Sequence, residues 1–189
     1  MRITGGQWRG LILTAPPGRD TRPTSDRVRE SVFNILNHAA WAGPSWLENA
    51  PVLDVFAGTG ALGLEALSHG AGHAAFMEQD RDAAAACRKN IHNLKADAQA
   101  LLLTCDALHP PPRPTALAPR ALVFLDPPYG RSLGAQALAA LVQKDWLAPG
   151  AVCVLEMAKK QPEENPPGFI LRDERKYGIA LVRFLERAG

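Results

Sequence analysis

Long apolar runs, paired cysteines and a strong charge of one sign are all missing from this chain of 189 residues. No stretch reaches the roughly 18 consecutive apolar residues that a membrane span needs. The opening MRITGGQWRG lacks the apolar centre of a secretory leader, so no export is expected. The three cysteines, Cys87, Cys105 and Cys153, are scattered, odd in number and never spaced CxxC. That pattern excludes a disulfide framework and a zinc site, and it suits a reducing cytoplasm. His69, His73, His92 and His109 lack metal-ligand spacing too, so they are read as surface or packing residues and no metal is expected.

What is present is enough for one domain with a small appendage: 47% of the residues are apolar. The net charge is only +2, but residues 1–29 hold six Arg against two Asp, a local +4, and the rest sums to −2. Arginine forks onto phosphates and stacks on bases, so residues 1–50 are read as a nucleic-acid-facing extension and 51–189 as the main domain.

The extension begins with two short strand-like runs, Met1–Ile3 and Leu11–Thr14, around glycines, which predicts a hairpin. A helix follows, with Thr24 or Ser25 as N-cap and Val28, Val32, Ile35 and Leu36 as its apolar face. From Pro51 the pattern alternates. Strands are expected at 52–56, 74–77, 101–104, 121–125 and 151–155, and helices at 61–68, 82–94 and 135–142. Residues 110–119 hold five prolines and read as a loop. The runs Ile170–Arg175 and Ile179–Leu185 read as an antiparallel hairpin at one edge of the sheet or inside it. Strands alternating with helices predict an α/β fold, a parallel sheet with helices on both faces.

The segment from Asp54 to Gly63 is strand, glycine turn and helix start, with GxGxxG at Gly58, Gly60 and Gly63. Such a turn brings backbone close to a ligand, and the helix N-terminus favours an anionic group. Glu78 follows 20 positions after Gly58, where a carboxylate accepts both hydroxyls of a ribose. NAD and S-adenosylmethionine both carry a ribose and an anion. Asp54 near the strand end would repel a pyrophosphate but suits the cationic methionine end. Asp106, with the backbone N–H of Ala107, suits an adenine edge. Both favour S-adenosylmethionine.

Leu122–Leu125 runs into Asp126-Pro127-Pro128-Tyr129. The motif falls at a strand's C-terminal tip, where open parallel sheets place ligands. An exocyclic amine is a poor nucleophile because its lone pair is delocalised into the ring. It needs acceptors for its two hydrogens, and the Asp126 carboxylate and Pro127 carbonyl supply them, prearranged by two prolines. Tyr129 offers a flat face for the base.

Together, Arg2–Gly10, Arg22–Glu30, Asp54–Gly63 and Asp126–Tyr129 resemble the RsmD family, bacterial methyltransferases that form N2-methylguanine in 16S ribosomal RNA. The GGxWRG and RPTxDRVRE segments are the specific part. The resemblance implies a Rossmann-like, seven-stranded S-adenosylmethionine-dependent methyltransferase sheet with an N-terminal hairpin and helix that help bind RNA. It implies cofactor contacts at Asp54, Gly58, Gly60, Glu78 and Asp106, and catalysis by Asp126, Pro127 and Tyr129. Trp8, Arg9, Arg22, Thr24 and Arg27 are the substrate-binding candidates, with Arg29 a further phosphate contact; the alternatives are that Trp8 packs against the core and that Arg27 pairs with Asp26 or Glu30. The substrate it implies is the small ribosomal subunit or its assembly intermediate, with ribosomal proteins as partners, and a monomeric enzyme is expected.

Three rivals remain at this stage. An adenine-N6 methyltransferase on DNA or RNA would use the same loop chemistry. An NAD-dependent oxidoreductase would share the glycine fingerprint but not the Asp126 loop. A catalytically dead RNA-binding protein would not need the intact acidic and aromatic residues.

Overall fold

The computed structural model describes residues 1–16, 26–41, 46–128, 132–162 and 164–189. Seven strands form one sheet: β1 (Pro51–Val55), β2 (His73–Met77), β3 (Ala100–Leu103), β4 (Arg120–Leu125), β5 (Leu147–Ala158), β6 (Phe169–Tyr177) and β7 (Ala180–Arg187). Their spatial order is β3-β2-β1-β4-β5-β7-β6. The first five pair in parallel, while β7 runs antiparallel between β5 and β6. The closing hairpin therefore lies partly inside the sheet, with β6 as its edge. A charged run, Arg172–Lys176, and a register shift between Leu171 and Asp173 keep that edge from pairing further.

Helices α1 (Asp26–His38), α2 (Ala61–Ser68), α3 (Arg81–Asn93) and α4 (Leu133–Gln143) cover the sheet. Strand residues alternate between two cores. Leu122, Phe124, Val152 and Val154 pack with α1, α2 and α3. Val123, Leu125, Cys153 and Leu155 pack with α4 and with the segment through Leu108 and Leu117. That proline-bearing segment thus takes the place of a helix, anchored by the Trp146 indole N–H donating to the Pro111 carbonyl at 2.7 Å.

The extension shares the first core: Ile3, Leu13, Val32, Phe33 and Leu36 are buried beside strand residues. The expected hairpin is present in short form: Arg2 and Ile12 bridge antiparallel, with the Ile3 N–H donating to the Leu11 carbonyl at 3.0 Å and the Leu13 N–H to the Met1 carbonyl at 3.1 Å. Gly6–Trp8 form a 3-10 turn at its tip, where Gly6 and Gly10 take positive φ. The α1 stripe is rotated from the expected one. Its buried members are Arg29, Val32, Phe33 and Leu36, while Val28 and Ile35 are half-buried. Strand β1 stops one residue early because Phe56 has φ 59°, which turns the chain into the glycine loop.

Candidate active site

The chain leaves β1 for β2 and β3 on one side, then crosses back to β4 on the other. β1 and β4 therefore flank the point where strand order reverses, the position at which open α/β sheets bind ligands. Val55 and Leu125 are register partners there. The glycine loop and the Asp126 loop leave neighbouring strands at the same level, about 4.8 Å apart.

The glycine loop combines one open backbone position with two tightly packed ones. Gly58 has φ +55°, and a Cβ added there would meet nothing within 4 Å, so this backbone faces open space. Gly60 has φ +79° and passes close to the Cys87 sulfur. Gly63 lets α2 press against the Phe76 ring, as a Cβ there would lie 2.9 Å from its Cζ. The Glu78 carboxylate accepts the Gly58 N–H at 2.8 Å and the Asp80 N–H at 2.7 Å. Each oxygen keeps a lone pair for a ribose hydroxyl. Asp80 then caps α3, accepting from Asp82 and Ala83.

Asp54 is 2% exposed and lies beneath the first turn of α2, where it accepts the Gly63 N–H at 2.8 Å. Burial pushes its carboxyl up to about 8, with the Asp126 and Glu78 charges adding to the shift. A cation bound nearby would offset that cost. Asp106 is half-buried and accepts from His109 Nδ1 at 2.8 Å and the Leu108 N–H at 2.9 Å. The His109 hydrogen bond, then the Leu108 one, hold its carboxyl below the ordinary range. Ala107 beside it is buried. At the tip of β4, Asp126 is half-buried and Pro127 buried, whereas Tyr129 lies outside the described residues.

The substrate-arm candidates are dispersed. Trp8 is half-buried against the first core, and its backbone N–H donates to Ser68 Oγ at 3.0 Å, at the C-terminal end of α2. Arg9 and Arg27 are exposed. Arg22 and Thr24 lie outside the described residues. Arg29, also expected on phosphate, is instead fully buried. It donates to Asp26 at 2.9 Å and to the Arg2 carbonyl at 2.5 Å, and its Nε lies 3.6 Å from Glu65. Its place on the inward stripe of α1, three residues before Val32, removes it from solvent.

Two polar residues that the sequence reading passed over organise this region. Glu65 accepts the Thr4 and Gly5 N–H groups at 2.8 and 2.7 Å and the Thr4 hydroxyl at 2.7 Å. Asn90 links Thr14 to Thr59 in the glycine loop. Both sit on otherwise apolar helix faces, which was the available signal.

This sheet order, with the Glu78 carboxylate at the tip of β2 bonded to the glycine loop and an Asp-Pro-Pro tip on β4, is that of the Rossmann-like class of methyltransferases. The comparisons carry the assignment to a family. The family described as Conserved hypothetical protein 95 matches residues 1–186. The ribosomal RNA small subunit methyltransferase D of Haemophilus influenzae is 35% identical over 98% of this chain and 93% of its own length. That of Escherichia coli K12 is 37% identical over 99% and 90%. The solved structure of the E. coli methyltransferase yhhF superposes with a TM-score of 0.82 at 36% identity, covering 100% of this chain and 98% of the other. The chain belongs to this methyltransferase D (RsmD) family. Its cofactor is S-adenosylmethionine, and the open backbone face at Gly58, the Glu78 carboxylate and the buried Asp54 fit that molecule's carboxylate, ribose and cationic centre.

Proposed function

We propose that the chain methylates the exocyclic N2 amine of a guanine in 16S ribosomal RNA of the small subunit. The observation that carries this reading is the Val55–Leu125 register, which sets the cofactor loop and the Asp126-Pro127 tip side by side. The relatives' names point to small-subunit ribosomal RNA as the substrate class.

When bound, S-adenosylmethionine supplies an electrophilic methyl group. The protein's part is alignment and acceptance of hydrogen bonds. The Asp126 carboxylate and the Pro127 carbonyl take the two amine hydrogens, so the nitrogen lone pair localises toward the methyl. Tyr129 stacks on the base, worth about 1–3 kcal/mol. The Asp126 carboxylate takes the proton late, a role worth about 10²–10⁴-fold. Gly58, Gly60, Glu78, Asp106 and Ala107 hold the donor, and Asp54 steadies its cationic end. Arg9, Arg22, Thr24 and Arg27 contact the RNA. Trp8 adds to the arm through its exposed edge, while its packed side fixes the turn.

The test is transfer of labelled methyl from S-adenosylmethionine to unmodified small subunits by the wild type and by Asp126→Asn. Label transfer by the wild type, lost in Asp126→Asn with S-adenosylhomocysteine binding intact, is expected. Equal transfer by both would remove Asp126 from the reaction.

A further inference from the structure

The tips of the sheet divide by charge. On the β1–β2–β3 side they carry Asp54, Glu78, Asp80 and Asp106. On the β5–β7–β6 side they carry Lys159 and Lys160, immediately beyond β5, and Lys176, next to last in β6, all three exposed. Asp126 stands between the two halves.

The registers place these lysines around the catalytic loop. Leu125 is opposite Leu155, so Asp126-Pro127 leaves β4 alongside Glu156-Met157, with Lys159 two residues further on. The Lys159 N–H donates to the Ile179 carbonyl at 2.8 Å, which ties this tip to the β6–β7 turn. Lys176 is opposite Leu181, itself opposite Met157, so it stands two strand spacings away, about 10 Å.

Three of the five described acids of this half pair with arginines. Asp173 pairs with Arg175, and Glu174 with Arg183, both at 2.8 Å; Glu186 pairs with Arg172 at 2.7 Å. Glu156 is half-buried within β5, and Glu164 lines a groove against α4. Among the described residues no carboxylate pairs with Lys159, Lys160 or Lys176. Beside them Ile179 is 53% exposed, an apolar step on an otherwise basic rim.

We propose that Lys159, Lys160 and Lys176 form a phosphate-binding rim over which the RNA strand enters the catalytic loop from the β5–β7–β6 side. The inference rests on the function proposed above. A polyanion is repelled by the carboxylate half, which suits a cationic donor, and is drawn to the lysine half. The same partition keeps the two substrates apart until they meet at Asp126. Ile179 then lies where a ribose or base edge passes.

The test is small-subunit binding by the wild type and by a Lys159→Gln, Lys160→Gln, Lys176→Gln variant across a range of salt, with S-adenosylhomocysteine binding as the control. These exposed substitutions leave the cores untouched. The variant is expected to bind small subunits at least tenfold more weakly at low salt, with a shallower salt slope, about 0.7 per lost contact to a single strand. Its S-adenosylhomocysteine affinity is expected to match the wild type. Unchanged subunit binding in the variant, with the wild type active, would overturn the rim alone. Weaker binding with an unaltered salt slope would mean a partner other than phosphate and would also overturn it. A wild type that neither binds nor methylates small subunits would overturn the functional reading, and the rim with it.

Discussion

Asn90 donates to the carbonyl of Thr59 at 2.9 Å, from the buried face of α3 into the middle of the glycine loop. The same amide accepts the Thr14 N–H at 2.7 Å and donates to the Thr14 carbonyl at 3.0 Å. One side chain thus joins the cofactor loop to the N-terminal segment. The Thr59 hydroxyl, 3.6 Å from the Met1 sulfur, adds a second tie. Removing the amide leaves buried backbone groups unpaired, each costing about 1–3 kcal/mol. Asn90→Ala is expected to lower the melting temperature and to weaken S-adenosylhomocysteine binding together. Calorimetry on Asn90→Ala and the wild type checks this, and an unchanged cofactor affinity would confine Asn90 to stability.

Glu65 and Arg29 form the second junction, inside the protein. Burial alone would push the Glu65 carboxyl up, but hydrogen bonds from His69, Thr4 and Gly5 outweigh it and hold the carboxyl below its ordinary range. The stability it contributes is fully present above its ordinary pKa and is lost as pH falls through the lowered one. Glu65→Ala also breaks the buried Arg29–Glu65 pair, leaving Asp26 as the remaining carboxylate beside Arg29 among the described residues, and breaking a buried pair costs about 3–5 kcal/mol. Replacing both, as Arg29→Met with Glu65→Leu, is expected to recover part of that loss in a denaturant titration. A double variant as unstable as Glu65→Ala would locate the cost in Thr4 and Gly5 instead.

Asp54 titrates in the opposite sense. Its folded-state pKa of about 8 lies above the ordinary 3.8, so between these values the folded protein keeps a proton that the unfolded chain has lost. Stability from this site therefore falls as pH rises through that window. Asp54→Asn removes the dependence and can still accept the Gly63 N–H. The melting temperature of Asp54→Asn relative to the wild type is expected to grow between about pH 4 and about pH 8 and then level off. A flat difference across that window would contradict the burial-driven shift.

The two key glycines separate stability from binding. A methyl at Gly63 would press on Phe76 and lie 3.1 Å from Asp54 Cβ. Overpacking of that kind costs about 1–3 kcal/mol. A methyl at Gly58 would meet open space, at about 1–2 kcal/mol of backbone strain, and would project into the cofactor face. Gly63→Ala is expected to act mainly on melting temperature. Gly58→Ala is expected to act mainly on S-adenosylhomocysteine affinity, by more than tenfold. The reverse ranking would move the cofactor away from Gly58.

The alternating pattern from Pro51 onward is local, and period and turn residues place its strands and helices to within a few residues. The placing of Gly58, Glu78 and Asp126 just beyond the ends of β1, β2 and β4 was legible for the same reason. Long-range geometry was not legible. Nothing in Arg29 itself separates a phosphate contact from a buried pair, because the decision depends on Glu65 in another helix. The insertion of β7 between β5 and β6 depends on pairing across the sheet. The lysine rim arises only when Met157, Leu181 and Lys176 are set side by side.

The most direct test of the central claim is nucleoside analysis of 16S RNA after the wild-type protein has acted on unmodified small subunits with labelled S-adenosylmethionine. Label recovered as N2-methylguanosine, at one position and absent with Asp126→Asn, is the expected result. Label recovered as N6-methyladenosine, or none in RNA at all, would contradict it.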